Sequence, residues 1–168
     1  MLKGKISQIS PLEAKDAPVI EEWRRNTSYK SPYLGLALAH PSIEVADLFK
    51  RTLSKSYLIR TNSGDAAGLI ITDNEKNEDR NIALYLDLKD NKYKPEAQDA
   101  LAAMLDQLFN EKNLFRVCTY IAGFDKEIEH IFVKENFKKE ATLRRHLYCD
   151  GAYHDVFVYG LLKDEFKK

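Results

Sequence analysis

The chain has little cysteine and no surplus of charge. Two cysteines in 168 residues, Cys118 and Cys149, exclude a disulfide framework and the four-ligand patterns that hold structural zinc. Both lie in apolar, strand-like runs, where a small buried thiol is the plain reading. Lysine and arginine number 26, and so do aspartate and glutamate. No overall positive field draws the chain to nucleic acid or to an anionic membrane. No apolar run approaches the ~20 residues that span a bilayer, and none follows Met1 to Lys5 as a signal peptide would require. A cytoplasmic protein is expected. Low-complexity segments, internal repeats and linkers are also missing, so residues 1–168 read as one domain. Hydrophobic residues make up 44% of it, with nine Tyr, eight Phe and one Trp, enough for a packed core.

Helical signals open the chain. Ser10-Pro11-Leu12-Glu13 has a hydroxyl cap, a proline and a carboxylate at capping-box spacing, and Asp16-Ala17-Pro18 offers a second start. Val19, Ile20 and Trp23 then share one face of a helix that ends near Asn26. Residues 27–41 read as loop, and Ser42 caps a second helix whose apolar face carries Val45, Leu48, Phe49 and Leu53. Beyond it the period changes. Ser56 to Thr61 and Ala66 to Thr72 flank Asn62-Ser63-Gly64-Asp65, a hairpin signal. Asn81 to Leu88 alternates as a strand, with Ile82, Leu84, Leu86 and Leu88 on one face and Tyr85 and Asp87 on the other.

Pro95 to Phe109 is the clearest helix, with Ala97, Leu101, Met104, Leu105 and Leu108 at helical spacing. Leu114 to Ile121 is a strand, and Asp125 caps a further helix that turns Ile128, Ile131 and Phe132 inward. An aromatic hairpin from Asn136 to Leu162, turning at Asp150-Gly151, closes the chain. Strand, helix and strand from Asn81 to Ile121 predict a parallel crossover. The four histidines show no metal-ligand spacing, and no serine–histidine or cysteine–histidine pattern supports a covalent intermediate.

The closing third carries a resemblance. Phe137, Glu140, Leu143-Arg144, Gly151, Tyr153, Asp155-Val156 and Tyr159-Gly160-Leu161-Leu162 match a pattern GF-x-x-E-G-x-x-R, strand, G-x-Y-x-D, strand, Y-G-L. With Asp16-Ala17 and Glu22-Trp23-Arg24 in the first helix, the chain from Ile6 to Leu162 resembles the GNAT superfamily of N-acetyltransferases. The branch in view acts on ribosomal-protein N-termini and polyamines. The resemblance implies an α/β fold: a mixed, mostly antiparallel sheet with one parallel βαβ unit and flanking helices. It implies acetyl-CoA as co-substrate, no metal, and direct transfer to a primary amine of a small molecule or a protein N-terminus. Trp23, Arg24, Tyr85 and Tyr153 would surround the acceptor, and Asp87 would take its proton, unless Asp87 is a solvated surface acid. Asp155 would either hold the hairpin through backbone hydrogen bonds or meet the amine.

The same resemblance places the cofactor on Leu88, Lys89, Lys92, Tyr93, Lys94, Glu96 and Asp125. Here the chain departs from the family's Q/R-x-x-G-x-G/A loop, because Lys92 and Lys94 stand at both glycine positions and Pro95 removes an amide. The lysines could supply charge instead of close backbone approach, block the diphosphate, or simply be solvated. Phe132 stands where many members carry a proton-donating tyrosine. Two function classes follow: an active N-acetyltransferase, or a catalytically lapsed relative that binds a ligand or protein. Edge strands and exposed aromatics allow a homodimer.

Overall fold

The computed structural model describes residues 1–26, 56–76 and 78–166. The helix read from Ser42 and the loop before it lie outside the described residues. Eight strands form one sheet in the order β1-β2-β3-β4-β5-β6-β8-β7. It is mostly antiparallel with one parallel pair, as the sequence predicts. The chain divides into two compact units, residues 1–71 with 86–103, and 72–85 with 104–168.

In the first unit β1 (Leu2–Lys3) pairs with β2 (Ser7–Pro11), and β2 with β3 (Ser56–Thr61), both antiparallel. Ser10 and Pro11 therefore belong to a strand and do not start a helix. Proline is tolerated here at a strand's last residue, where few ladder donors are lost. Glu13 instead opens a 3-10 turn at Ala14–Asp16, donating its amide to the Asp16 carboxylate at 3.0 Å. The second start signal is the working one, and α1 runs Ala17–Asn26. Ile20 and Trp23 of α1 pack with Leu12, Leu58, Ala66 and Leu69. At about 25 cal/mol per Å² of apolar surface removed from water, this burial is the main force seating α1 on the strands.

The β3 strand turns at Gly64, whose φ of 96° only glycine adopts freely, into β4 (Ala66–Lys76). A further helix, α2 (Lys94–Asp106), begins in this unit. Asp99 of α2 binds the β1–β2 turn through four hydrogen bonds, from the amides of Lys5, Ile6 and Ser7 at 2.9–3.0 Å and from the Ser7 hydroxyl at 2.7 Å. Gly4 has no side chain because a Cβ would strike that carboxylate.

In the second unit β5 (Asn81–Leu88) meets β6 (Arg116–Ala122) in parallel, through Asn81–Ala83 against Arg116–Cys118. This is the pairing that the strand–helix–strand order predicts. After α2 the chain widens into a π-helical turn at Gln107–Glu111, an irregularity that periodicity does not reveal. Then α3 (Lys126–Lys134) follows its predicted cap, with the Asp125 carboxylate accepting the Ile128 amide at 3.2 Å. Asn136 ends it at φ 65°.

Last come β7 (Lys138–Cys149) and β8 (Ala152–Leu162), joined at Asp150 and Gly151, both at positive φ as such a turn demands. Gly160 lies under the Arg116–Glu140 ion pair, and a Cβ there would collide with both side chains. No helix among the described residues is long and apolar enough to cross a membrane.

Burial opposes ionisation of Asp99, but its hydrogen bonds from Ser7, Ile6 and Lys5 outweigh it and hold the carboxyl below its ordinary value. Its stabilising effect is therefore present above pH 3.8 and lost as acid protonates it. Asp99→Asn should cost roughly 1–2 kcal/mol at neutral pH, discounted because the carboxylate is partly exposed. Urea melts should show this gap closing at acid pH; a gap that persists there would contradict the clamp.

Candidate functional site

The end of β5 and the turn into α2 gather most of the predicted site residues in the first unit. Asp87 lies beside β4 at Gly68, where a Cβ would run into the Asp87 carbonyl. The Lys89 amide bonds the Ala67 carbonyl at 2.9 Å, so the two strands stay paired to the end of β5. Asp87 itself is only 9% exposed. Burial lifts its carboxyl to about 7, against a hydrogen bond from the Leu88 amide that favours the ionised form. A group poised there can exchange a proton at neutral pH. It is not a solvated surface acid.

Past Leu88, which is buried, the chain surfaces. Asp90 caps a 3-10 turn at Asn91–Tyr93 by accepting the Lys92 amide on its carboxylate at 2.9 Å. Its carbonyl takes the Tyr93 amide at 3.0 Å, and the Asn91 carbonyl takes that of Lys94. Lys92 is exposed, its ammonium 4.9 Å from the centroid of the Tyr93 ring. Glu96 sits in the first turn of α2 with Oε2 buried and no hydrogen-bond partner. Lys89, Lys92, Tyr93, Lys94 and Glu96 all lie along this turn. However, the amides of Lys92, Tyr93 and Lys94 are engaged and Pro95 has none, so residues 92–95 offer no free amide to a diphosphate.

Trp23 is 4% exposed and packed in the core of the first unit. Arg24 lies on α1, and its side chain is outside the described residues.

Tyr85, Asp125 and Tyr153 belong to the second unit. Tyr85 stacks on Tyr120, ring centroids 6.4 Å apart. Asp125 is buried beneath the first turn of α3, where loss of solvent raises its carboxyl to about 6 despite the Ile128 amide. Tyr153 is 66% exposed at the hairpin tip against Tyr148, centroids 5.0 Å apart.

Asp155 accepts the Arg145 amide at 2.8 Å. Arg145 has φ 52° where β7 carries extra residues between Leu143 and Leu147, so Asp155 holds a bulge through the backbone. Phe132 is fully buried and meets Phe137 edge-on at 4.9 Å; it packs, and has no proton to give. No group of three or more His, Cys, Asp or Glu side chains among the described residues could hold a metal.

Sequence reading missed Asp90 as a cap and Gly68 as the neighbour of Asp87. The first was legible as an Asx turn, Asp followed two residues on by its donor. The second depends on pairing between distant segments.

No family model matches the chain, and no curated protein matches it. Solved structures do. A chimera of the Vibrio cholerae spermidine N-acetyltransferase SpeG with hSSAT superposes with a TM-score of 0.80 at 17% identity, covering 96% of this chain and 98% of that one. A GNAT-family acetyltransferase from Bacillus anthracis gives 0.78 at 16% identity, covering 98% and 99%. The V. cholerae spermidine N-acetyltransferase in complex with CoA and spermine gives 0.71 at 17%, covering 95% and 97%. The chain has the GNAT fold.

A raised carboxyl has a definite signature in stability. Between pH 3.8 and about 7 the unfolded chain ionises Asp87 while the native state keeps its proton, so stability falls as pH rises through that window. The loss is on the order of 4 kcal/mol. Asp87→Asn cannot ionise and should gain on the parent by that trend in melts from pH 4 to 8; parallel curves would contradict it.

Proposed function

We propose that the chain is an N-acetyltransferase that moves an acetyl group from acetyl-CoA directly to a primary amine, working as one domain. The observation that carries the reading is Asp87: a buried carboxyl poised at about 7, at the end of β5, in a chain with the GNAT fold. Three further facts support it. The spermidine N-acetyltransferase neighbours act on polyamines, and one is a complex with CoA and spermine. The closing pattern of the sequence resembles that of the same family. The absence of a nucleophile motif leaves direct attack as the simplest route.

A free amine has a pKa of about 8 to 10, so near neutral pH it must lose a proton before it can attack. Asp87, directly or through water, accepts that proton. The amine nitrogen then bonds to the thioester carbonyl carbon, the carbon–sulfur bond breaks, and the thiolate leaves. Phe132 offers no proton to that thiolate, so the proton reaches it from solvent or from Asp87. Burial of Asp87 matters to the chemistry because a carboxylate in water, ionised near 4, is too weak a base for an ammonium.

A second reading has its own observation. The engaged amides at residues 92–94 and the proline at 95 suit a lapsed relative that binds a ligand or protein without transfer.

Acetyl transfer assayed with acetyl-CoA and a panel of polyamines and peptide N-termini separates the two. The first reading expects turnover whose kcat/KM rises with pH through an apparent pKa of about 7. It also expects Asp87→Asn to lower kcat by roughly 10²–10⁴ with the fold intact. Absence of transfer to every amine, with the protein folded, favours the second.

A further inference from the structure

A helix start attracts phosphate because its first amides are unpaired and its dipole is positive there. At the start of α2 those amides are spent. Across four consecutive residues the donors are taken or missing: Lys92 gives its N–H to the Asp90 carboxylate, Tyr93 to the Asp90 carbonyl and Lys94 to the Asn91 carbonyl, while Pro95 has none. Asp90 thereby places a negative charge on the amide a phosphate oxygen would use. Glu96 adds a second carboxylate in the first turn, one oxygen of it buried and unpaired. A diphosphate arriving here finds the amides of residues 92–95 engaged or missing, and two carboxylates set among the lysines of the turn.

We propose that Asp90 is a resident anion that closes this turn, so that an acyl donor is recognised through its acylated pantetheine arm and not through its nucleotide diphosphate. Thioesters of pantetheine without the nucleotide then serve as well as acyl-CoA. This inference rests on the acetyltransferase reading for its donor. Its test can fail separately from that reading.

The experiment uses the full chain and compares acetyl-CoA, S-acetylpantetheine and 3′-phosphoadenosine 5′-diphosphate by titration calorimetry, with transfer rates measured alongside. The two thioesters should bind within about threefold of each other, and 3′-phosphoadenosine 5′-diphosphate should give no heat, because no charge-assisted amide bond is gained. Asp90→Ala, checked by melting to be folded, frees the Lys92 amide and should tighten acetyl-CoA by roughly tenfold while leaving S-acetylpantetheine unchanged. Asp90→Asn keeps an acceptor on that amide and should stay nearer the parent.

A parent that prefers acetyl-CoA by about tenfold or more overturns the proposal. If Lys92→Gln and added salt abolish that preference, the lysine ammonium groups hold the phosphates in place of the amides. Equal binding of both thioesters without transfer leaves the closed turn standing and removes the chemistry. Binding of neither removes both.

Discussion

The close run of β4 past the end of β5 at Gly68 is the constraint on which the site depends. Glycine there lets the Asp87 carbonyl approach, and the Lys89–Ala67 hydrogen bond keeps the strands together to that point. Asp87 is buried there, and loss of water disfavours its ionised form. The carboxyl responds by holding its proton to about neutrality. Burial at this strand end thus raises the proton affinity on which the proposed chemistry relies. Any side chain at residue 68 would collide with the Asp87 carbonyl and push the strands apart.

The next residues show a different compromise. From Lys89 the chain must leave the sheet and enter α2 within a few residues, and it does so by meeting its own hydrogen-bonding needs. Asp90 supplies a local cap, Asn91 a carbonyl, and Pro95 a preset φ for the helical first turn. Local satisfaction makes the turn stable, and it also removes the free donors through which a turn of this kind would hold an anion. Stability of the turn and grip on a diphosphate compete for the same amides. At the far end of the chain Asp155 plays a comparable local role in the β7 bulge, and the Arg116–Glu140 pair explains why Gly160 has no side chain.

Much of this was legible in the residues. Regular alternation gave β5, a clear 3.6 period gave α2, Asp125 capped α3, and Asp150-Gly151 marked the last hairpin. Each depends on neighbours within a turn or a strand, which is what local pattern encodes. The failures have a common cause as well. Ser10-Pro11 looked like a helix start because capping chemistry is short-range, yet pairing with β3 overrides it. The Asp99 clamp joins residues more than ninety positions apart, and no spacing rule reports it. The residues around Asp87 favour a solvated acid over a base, since its burial is set by segments distant in sequence. Asp90 was visible all along, but it was hidden among lysines that drew attention to charge and away from hydrogen bonding.

The central claim is that Asp87 keeps its proton until about neutral pH because the fold has dried its surroundings. Carbon-13 NMR titration of the aspartate carboxyls in the intact chain, with the signal assigned by its loss in Asp87→Asn, measures this without assuming any activity. The account predicts a midpoint of about 7 for that carboxyl. A midpoint near the ordinary value of 3.8 would contradict it.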